Sequence, residues 1–578
     1  MSFSFRLLSW VLLGCLSWSR PAWGQTGAAP TYQWVQQAGG LEDDRGECVG
    51  VDATGSTYVS GIFRGTALFG TTTLTSRGDY DVFLAKYSAS GQFSWVRQLG
   101  GPGRESVYGL TVEATGTVYV TGSFDQAYNV RPPYPLVSLT LENVTLTGGS
   151  TLGEMYLASY NAQGVLNWAK QTKGAGLSAS TGTKVAVDGR GNVYVIGSAE
   201  GHAVFDHITL HLSTGRNEFV AKYAPDGVLQ WVTTGLGSGA SDANEQLAVD
   251  ATGQCYVLAY FNTPLPIGGT TLVPAKPPYG EPYVAKLDAQ GQVLWARQFG
   301  TPSVQETGAG LALDAQGNLL LAYQFAETVT HGTHSFTSRG SSDVLVLQYS
   351  PQGDYQWGVQ FGGRDTDTLQ GLSVDAQGNS YLALGMWGMS SLTLFSGNNQ
   401  YYTHLLSLAQ DSTLRWARLS PEVVLDLAAT ATGDVYTTGY LEYTRAFDTI
   451  TLTSRGELDM HVAKLGAGTA APAPVPSPPV PPIPPVPSPA PLPPEVTKAF
   501  VPNIITPNGD GANETFQFVG LGLGPWQLQV YSRWGRLVYQ HENYQQDWGA
   551  ADLPAGLYYY RLQRLQESPY QGWVEVVR

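Results

Sequence analysis

Alternating apolar and polar positions recur in short runs along most of the chain, and these runs predict β-strands. Residues 117–122 (TVYVTG) alternate branched, aromatic and small side chains, as a strand of a half-buried sheet does. Turn signatures separate the runs, such as DATG at 52–55, where Asp bonds its own backbone and Gly accepts a positive φ. A second turn signature, SASG at 88–91, also recurs. The pattern predicts many short antiparallel strands and an all-β fold.

A tryptophan opens each copy of a longer repeat. Seven copies are present, led by Trp34, Trp95, Trp168, Trp231, Trp295, Trp357 and Trp416. Each copy supplies an inner strand, a second strand, a third strand such as DVFLAKY at 81–87, and an outer strand that contains the next tryptophan. Four antiparallel strands per copy, repeated radially, predict a seven-bladed β-propeller. The Asp of the first turn recurs in most copies, which indicates turn formation rather than catalysis.

The strand count predicts how the propeller closes. Because each tryptophan strand pairs with the copy before it, the last copy needs an outer strand from elsewhere. Residues 32–37 are the spare strand, and we expect them to pair with residues 460–465. The sixth copy departs from the pattern, since LSL at 406–408 replaces Ala-Lys-Tyr and Ser412 replaces the glycine of the second turn. That copy is expected to be irregular.

The repeated units W-x-x-Q, V-D-A-x-G-N-x-Y-V-x-G and D-x-F-x-A-K-Y resemble the bacterial seven-bladed β-propeller repeat family over residues 32–466. The resemblance implies the fold, which we assign to residues 32–470 after a short mature N-terminus at 25–31. It implies no single activity, because one fold hosts many functions.

The N-terminus has the pattern of a secretory signal peptide, assigned to residues 1–24. Arg6 supplies a positive charge before an apolar segment, and Ala22 and Gly24 provide the small residues before a cleavage site. The alternative is a lipoprotein signal, because LLGC ends at Cys15 and would leave that cysteine lipidated. Elsewhere no apolar run approaches the ~20 residues that a transmembrane segment needs.

Residues 471–494 are rich in proline and predict a polyproline II spacer. The all-β segment at 495–578, which contains FVPNIITPNGDGANETF, resembles the gliding-motility-associated C-terminal domain, the type B sorting domain of type IX secretion. It departs once, with Asp-Trp-Gly at 547–549 in place of Trp-Asp-Gly. The resemblance implies an Ig-like β-sandwich, recognition by the translocon and export from a bacterium of the Bacteroidetes type. The positions that match the sorting motif are Pro507, Asn508, Gly509, Asp510, Gly511, Asn513, Arg533, Trp534, Gly535, Gly556 and Tyr558.

Composition narrows the function. The formal charge of −15 argues against nucleic acid or an anionic membrane as the partner. No Ser-His-Asp pattern, nucleophile elbow, phosphate-binding loop or dinucleotide fingerprint occurs, so no catalytic residue is assigned. Cys48 and Cys255 cannot form a disulfide framework for so long a chain, and we expect buried, unpaired thiols.

Metal chemistry has two candidates, and neither leads to an assigned cofactor. The segment 508–514 gathers oxygen ligands that suit Ca²⁺, although a turn held by Asn and Asp explains it too. His207 and His211 are four apart on an expected strand near His202. Other copies have threonine at the same two positions, which indicates exposed surface residues and not zinc ligands. The sequence Arg77-Gly-Asp is read as an Arg–Asp81 pair that braces a loop.

The long connections of the propeller form one face, and this face carries the candidate ligand residues. Tyr128, Tyr134 and Tyr279 are possible stacking platforms for glycans, and Asp43 and Asp44 make the face acidic. The sequence therefore predicts a secreted or outer-surface monomer that reaches the exterior through the periplasm. Its expected role is a binding or scaffold protein, such as an adhesin or glycan binder. The alternatives are a polysaccharide-acting enzyme that uses the propeller face, and a purely structural surface spacer.

Overall fold

The computed structural model is all-β and consists of two compact units, Met1–Pro472 and Ala473–Arg578, each of which is described by itself. Among the described residues there is no helix long and apolar enough to cross a membrane. The signal peptide, Cys15 and the proline-rich spacer lie outside the described residues. The structure describes residues 27–125, 137–149, 152–174, 178–212, 215–237, 245–275, 280–299, 309–387, 401–466, 504–505, 507, 515–516, 526–533, 536–544, 547–550, 553–564 and 570–577.

Strands of the first unit fall into sets of four, and within a set each strand pairs antiparallel with the next. Set 1 is Asp44–Val51, Thr57–Phe69, Thr72–Tyr87 and Phe93–Gly100; set 2 is Arg104–Val112, Val118–Asp125, Glu154–Tyr160 and Leu166–Lys173; set 3 is Ala179–Val187, Val193–Glu200, Asn217–Tyr223 and Leu229–Thr234; set 4 is Gln246–Val249, Cys255–Phe261, Glu281–Leu287 and Val293–Gln298. Set 5 is Ala309–Leu313, Leu319–Phe325, Asp343–Tyr349 and Tyr355–Phe361; set 6 is Thr368–Val374, Ser380–Trp387, Tyr401–Leu408 and Leu414–Leu419; set 7 is Val423–Ala429, Val435–Leu441, Asp459–Gly466 and Thr31–Gly40.

The fourth strand of set 7 comes from the other end of the unit. Thr31–Gly40 pairs antiparallel with Asp459–Gly466, and Tyr32 lies opposite Leu465 while Ala38 lies opposite Met460. Sets 1 to 6 take their fourth strand from the residues that follow the third strand. We call the region where sets 7 and 1 meet the seam.

Extra hairpins between the second and third strands connect neighbouring sets. Three of them reach the fourth strand of the preceding set, with Leu141 opposite Leu99, Phe205 opposite Thr172, and Leu68 opposite Gly39. In set 1 the hairpin is an extension of the two strands themselves. The separate hairpin strands are Ser138–Leu141 and Val144–Thr147, His202–Phe205 and Ile208–His211, Leu265–Ile267 and Thr270–Leu272, Thr328–His331 and His334–Thr337, and Thr444–Phe447 and Ile450–Thr453.

The repeated aspartates form turns, as the sequence predicts. Asp52 Oδ1 accepts hydrogen bonds from the backbone N–H groups of Thr54 and Ser56, both at 2.9 Å. Gly55 takes φ +80°, which a glycine accepts without strain. The same pair of bonds recurs at Asp188, Asp250, Asp314 and Asp375.

The W-x-x-Q motif of set 1 bonds its surroundings through both of its named residues. The indole N–H of Trp95 donates to the Ala162 carbonyl of the next set at 3.2 Å, and Lys86 Nζ donates to the same oxygen at 3.1 Å. Gln98 Nε2 donates to Asp81 Oδ2 at 2.6 Å and to the Thr75 carbonyl at 2.8 Å. Equivalent indole bonds join Trp34 to Ala89, Trp168 to Pro225, Trp231 to Ala289 and Trp357 to Gln410.

The apolar core lies between neighbouring sets. In one cluster Tyr58 and Leu84 of set 1 pack with Val120 and Tyr156 of set 2, and all four are fully buried. Since two sheets share each cluster, burial of apolar surface stabilises the contact between sets as well as the sets themselves. Cys48 and Cys255 are buried and unpaired.

Three local expectations change. His207 lies in a turn and not on a strand with His211, whereas His202 pairs with His211 across the hairpin. Asp81 accepts a bond from the backbone N–H of Arg77 at 3.0 Å, and the guanidinium instead donates to the carbonyls of Gly100 and Thr140. The sixth copy keeps its second turn, because Ser412 adopts φ +69° and its N–H bonds the carbonyl of the turn's first residue.

The second unit contains a five-stranded sheet. Its strands are Ile504–Ile505, Gln527–Ser532, Leu537–His541, Gly556–Gln563 and Tyr570–Val576. The last two are antiparallel neighbours, and the first strand pairs parallel with the last. Phe516, Trp548, Leu528 and Val574 are part of one buried cluster on this sheet.

Candidate functional site

The sequence-predicted ligand residues divide into two groups. Tyr128, Tyr134 and Tyr279 lie outside the described residues. Asp43 and Asp44 lie at the seam, directly after the strand Thr31–Gly40. Of the predicted ligand face, the structure therefore describes only the part at the seam.

Asp44 is buried and holds the backbone of the seam together. Its Oδ2 accepts the N–H of Gly40 at 2.6 Å, and its Oδ1 accepts the N–H of Arg64 at 3.3 Å. Burial raises the pKa of this carboxyl to about 7, with a contribution from the neighbouring Asp459 and Asp43 charges and against the lowering effect of the two backbone hydrogen bonds. The side chain is fully shielded from solvent, so we assign Asp44 to the frame of the site and not to its surface.

Asp43 belongs to a patch of acidic and aromatic side chains that we call the seam patch. Two connections meet there, since the N–H of Asp44 donates to the Leu458 carbonyl at 2.9 Å. Apolar exposure is unusually high, with Leu41 79% exposed and Tyr443 67% exposed. The patch consists of Leu41, Glu42, Asp43, Tyr80, Tyr440, Glu442, Tyr443 and Glu457.

Arginines pack on two of the tyrosines of the seam patch. The Arg45 guanidinium lies 5.3 Å from the ring centre of Tyr440, and its Nη2 is 3.3 Å from Asp43 Oδ2. The Arg64 guanidinium lies 5.7 Å from the ring centre of Tyr80. Arg64 Nε also lies 3.1 Å from a Glu42 carboxylate oxygen. These contacts hold the rings at the surface while the charges of Asp43 and Glu42 are balanced.

A cleft of about 530 Å³ opens beside these contacts. It is lined by Asp43, Tyr440, Glu442, Tyr443, Gly456, Glu457 and Leu458. The hydrogen bond to Glu442 raises the pKa of the Tyr443 hydroxyl above its usual value. The cleft offers flat aromatic surface and carboxylate acceptors together, which is the combination that binds sugar rings and their hydroxyl groups.

Sequence reasoning found Asp43 but missed Tyr440, Glu442, Tyr443 and Glu457. These residues are some 400 positions away in the chain, and only the pairing of the terminal strands brings them to Asp43. The predicted pairing of residues 32–37 with 460–465 was the signal that could have identified them. Aligning the connections beside those two strands would have placed both segments at one seam.

Buried charges also lie on the first strands of sets 1 and 7, away from the seam patch. Burial raises the pKa values of Glu47 and Asp426. Asp426 accepts backbone N–H bonds from Val49 and Leu427, both at 2.9 Å, so its carboxylate has a structural role. In the part of the chain that the structure describes, no three or more His, Cys, Asp or Glu residues form a group that could hold a metal ion.

Four residues of the predicted sorting motif are described in the second unit: Pro507, Arg533, Gly556 and Tyr558. The Tyr558 hydroxyl donates to the Pro554 carbonyl at 2.8 Å, and its ring meets Trp548 edge-on at 6.5 Å. Gly556 begins the strand at φ +143°. The other motif positions, Asn508, Gly509, Asp510, Gly511, Asn513, Trp534 and Gly535, lie outside the described residues, as does the candidate Ca²⁺ segment 508–514.

Comparison with known families decides the role of this second unit. Residues 499–576 match the family described as the CHU_C type IX secretion signal domain. The chain carries a type IX secretion signal domain. This domain supports secretion or display on the outer cell surface. Residues 167–202 match a family described as a β-propeller repeat.

Relatives of the whole chain are distant. The uncharacterized WD repeat-containing protein L264 of Acanthamoeba polyphaga mimivirus is 23% identical over 262 residues, and the match covers 40% of this chain and 19% of that protein. The quinohemoprotein alcohol dehydrogenase of Comamonas testosteroni has 12% identity and a TM-score of 0.36, covering 78% of this chain and 79% of its own. The polysaccharide lyase Uly1 has 9% identity and a TM-score of 0.36, covering 73% and 90%. Likeness at this level carries no functional argument.

Proposed function

We propose that the protein is an exported, non-enzymatic binding protein whose seven-bladed propeller presents a glycan-binding cleft at the seam. The type IX signal domain delivers it to the cell exterior, where surface and extracellular polysaccharides are the available ligands. The observation that carries the proposal is the cleft itself, which the exposed Tyr443 lines together with Asp43, Glu442 and Glu457. The C-terminal unit is proposed to be an Ig-like sandwich built on its five-stranded sheet.

Contacts between the first strands support a closed ring. The first strand of each set contacts the first strand of the next set along the chain, from Asp44–Val51 through to Val423–Ala429. The first strand of set 7 then contacts that of set 1, so the series returns to its start. The pairing of Thr31–Gly40 with Asp459–Gly466 supports closure at the outer side of the same two sets. Closure protects sheet edges that would otherwise invite aggregation.

Stacking on tyrosine explains how a sugar would be held. The apolar face of a pyranose ring fits an exposed aromatic ring, and burial of that face is favourable in water. Glu442 and Glu457 lie beside the rings and can accept hydrogen bonds from sugar hydroxyls, which are stronger to a charged acceptor. Tyr440 is held in place by Arg45, so little side-chain entropy is lost on binding.

The test is a glycan array with the purified full-length mature protein and its Tyr443→Ala variant. We expect binding to at least one polysaccharide class, and we expect Tyr443→Ala to weaken it about threefold to tenfold because a stacking platform is lost. Tyr559→Ala is the matched control, since Tyr559 is 47% exposed but lies in the second unit. Absence of binding to every surface polysaccharide would refute the proposal and favour a structural spacer.

A further inference from the structure

The charges that line the seam cleft are of one sign. Asp43, Glu442 and Glu457 contribute carboxylates, and no lysine, arginine or histidine is among the lining residues. Arg45 balances Asp43 at 3.3 Å. No described base forms an ion pair with Glu442 or Glu457, and the nearby Arg445 is paired with Glu422. The cleft thus holds two carboxylates whose charge the chain itself does not balance.

One half of the cleft shows how this surface holds a cation. The Arg45 guanidinium lies against the ring of Tyr440 and also contacts the Asp43 carboxylate. This arrangement combines a cation–π contact with an ion pair. The neighbouring pair, Tyr443 and Glu442, repeats the tyrosine and the carboxylate, and Tyr443 is mostly exposed; the charge of Arg445 reaches Tyr443, but Arg445 is ion-paired with Glu422. A ligand cation placed there would make the contacts that Arg45 makes with Tyr440 and Asp43.

We propose that the cleft selects saccharides that carry protonated amino groups. This inference rests on the proposed glycan-binding function and specifies its ligand class. An ammonium group on a sugar ring would lie over Tyr443 and pair with Glu442 or Glu457, while the ring stacks on the aromatic surface. A sugar acid would be repelled by the same carboxylates, and a neutral sugar would gain only the stacking and hydroxyl contacts.

The test compares oligomers of glucosamine with oligomers of N-acetylglucosamine of equal length, because the two differ only in the charged amine and its acetyl group. Titration calorimetry on the full-length mature protein at about pH 6 keeps carboxylates ionised and sugar amines protonated. We expect the glucosamine oligomer to bind about twofold to fivefold more tightly, the effect of a single exposed cation–π contact. Raising the salt concentration should reduce this preference.

Variants separate the cleft from the general acidity of the protein. Glu442→Gln and Glu457→Gln should each reduce glucosamine binding about threefold to fivefold and weaken N-acetylglucosamine binding less, because the neutral sugar loses only the charge assistance to its hydroxyl contacts. Glu327→Gln changes the net charge equally and should have no effect, since Glu327 lies at the corresponding turn of set 5, where it takes the positive-φ position (57°) that Tyr443 takes in set 7 (62°). An equal effect of all three variants would mean that the attraction is general and would overturn the inference.

Two outcomes distinguish the inference from the function on which it rests. If neutral or acidic oligomers bind more tightly than the glucosamine oligomer, and Tyr443→Ala weakens that binding, the glycan site stands but the preference for amines is refuted. Absence of binding to any oligomer or array glycan would refute both.

Discussion

At the scale of single residues, two buried histidines show how surroundings decide the role of one side chain. His331 Nε2 lies 2.7 Å from the Tyr323 hydroxyl, and its Nδ1 lies 2.7 Å from the Tyr349 hydroxyl. Neither ring nitrogen of His461 reaches hydrogen-bond geometry with a described residue, and the Tyr440 backbone only opposes the lowering of its pKa. His461 occupies the third-strand position that Phe83 occupies in set 1. Phe83 packs on Phe69 at 4.7 Å, and His461 packs on Phe447 at 5.7 Å in the equivalent place.

We expect His461→Phe to stabilise the propeller by about 1–3 kcal/mol at pH 7, because it removes an unsatisfied buried polar ring. Burial lowers the pKa of His461 to about 4 from an ordinary 6.5. Below pH 6.5 the unfolded chain binds a proton that the folded protein does not. The free energy of unfolding therefore falls by about 3 kcal/mol as the pH falls from 6.5 to 4. Thermal melts of wild type and variant between those pH values should diverge as the pH falls.

His331→Phe is the contrasting control for that prediction. It has a similarly lowered pKa of about 4, owing to burial, but its ring nitrogens are both hydrogen-bonded. The substitution takes a partner from two buried hydroxyls and should destabilise the protein by about 1–3 kcal/mol. Stabilisation by both substitutions, or by neither, would contradict the assignment of roles.

Ser412 offers a second prediction at this scale. It holds φ +69° at the position where five other second turns have glycine, such as Gly91 at φ +80°. A left-handed conformation costs a non-glycine residue about 1–2 kcal/mol, and a glycine removes that cost. Part of the benefit is offset because glycine makes the unfolded chain more flexible. We expect Ser412→Gly to raise stability by about 0.5 kcal/mol, measured by chemical denaturation. The reciprocal Gly91→Ser should destabilise, since its Cβ would come within 2.6 Å of the Trp34 ring.

At the scale of elements, the sequence predicted the strands and turns within each repeat but not the contacts between neighbouring repeats. The turn role of Asp52 follows from local chemistry, and the pairing of residues 32–37 with 460–465 follows from counting strands. The contact between Leu141 and Leu99 could not be predicted in this way, because it depends on the distance between neighbouring sheets. The Arg77 guanidinium likewise bonds carbonyls beyond its own turn, so the expected contact of Arg77 with Asp81 is made by the backbone N–H instead.

The seam joins two strands through a pair of buried carboxyls. A Cβ on Gly39 would lie 2.8 Å from Asp459 Oδ1 and 2.9 Å from Asp44 Oδ2, so both carboxyls border the same glycine. Burial also raises the pKa of Asp459, while Gln37 and the backbone N–H of Arg455 oppose that rise. The other charged groups that influence the pair are Asp43 and the Arg455 guanidinium.

We expect Asp44→Asn to make stability less dependent on pH. The pKa of Asp44 is raised from 3.8 to about 7 in the folded state, so its protonated form favours folding below pH 4, and this stability is lost as the pH rises through 7. An amide cannot ionise, so the variant should keep more of its stability between pH 5 and 8, measured by thermal melts at several pH values. Asp43→Asn removes a neighbouring charge that helps to raise the pKa of Asp44, so it should weaken the pH dependence much less than Asp44→Asn does. An unaltered profile in Asp44→Asn would show that other groups cause the dependence.

At the scale of the whole molecule, binding and delivery belong to different units of the chain. The propeller repeats explain the fold of the first unit, and the signal domain matches at 499–576 in the second. The sequence predicted both assignments because motifs and repeats are local in the chain. The seam patch escaped prediction because it is assembled from two connections at opposite ends of the first unit. The acidic and aromatic side chains of the seam patch come together only because the strands Thr31–Gly40 and Asp459–Gly466 pair.

The division of roles predicts that deleting residues 495–578 blocks export without abolishing ligand binding. In a bacterium that has the type IX machinery, the truncated protein should accumulate in the periplasm, because the matched signal domain at 499–576 is absent. Fractionation followed by mass spectrometry would locate it, and glycan binding by the periplasmic protein would show that the propeller is intact. As a control, residues 495–578 fused behind residues 1–31 and a periplasmic reporter should carry the reporter to the exterior. Normal surface display of the truncated protein would assign the sorting information to the propeller instead.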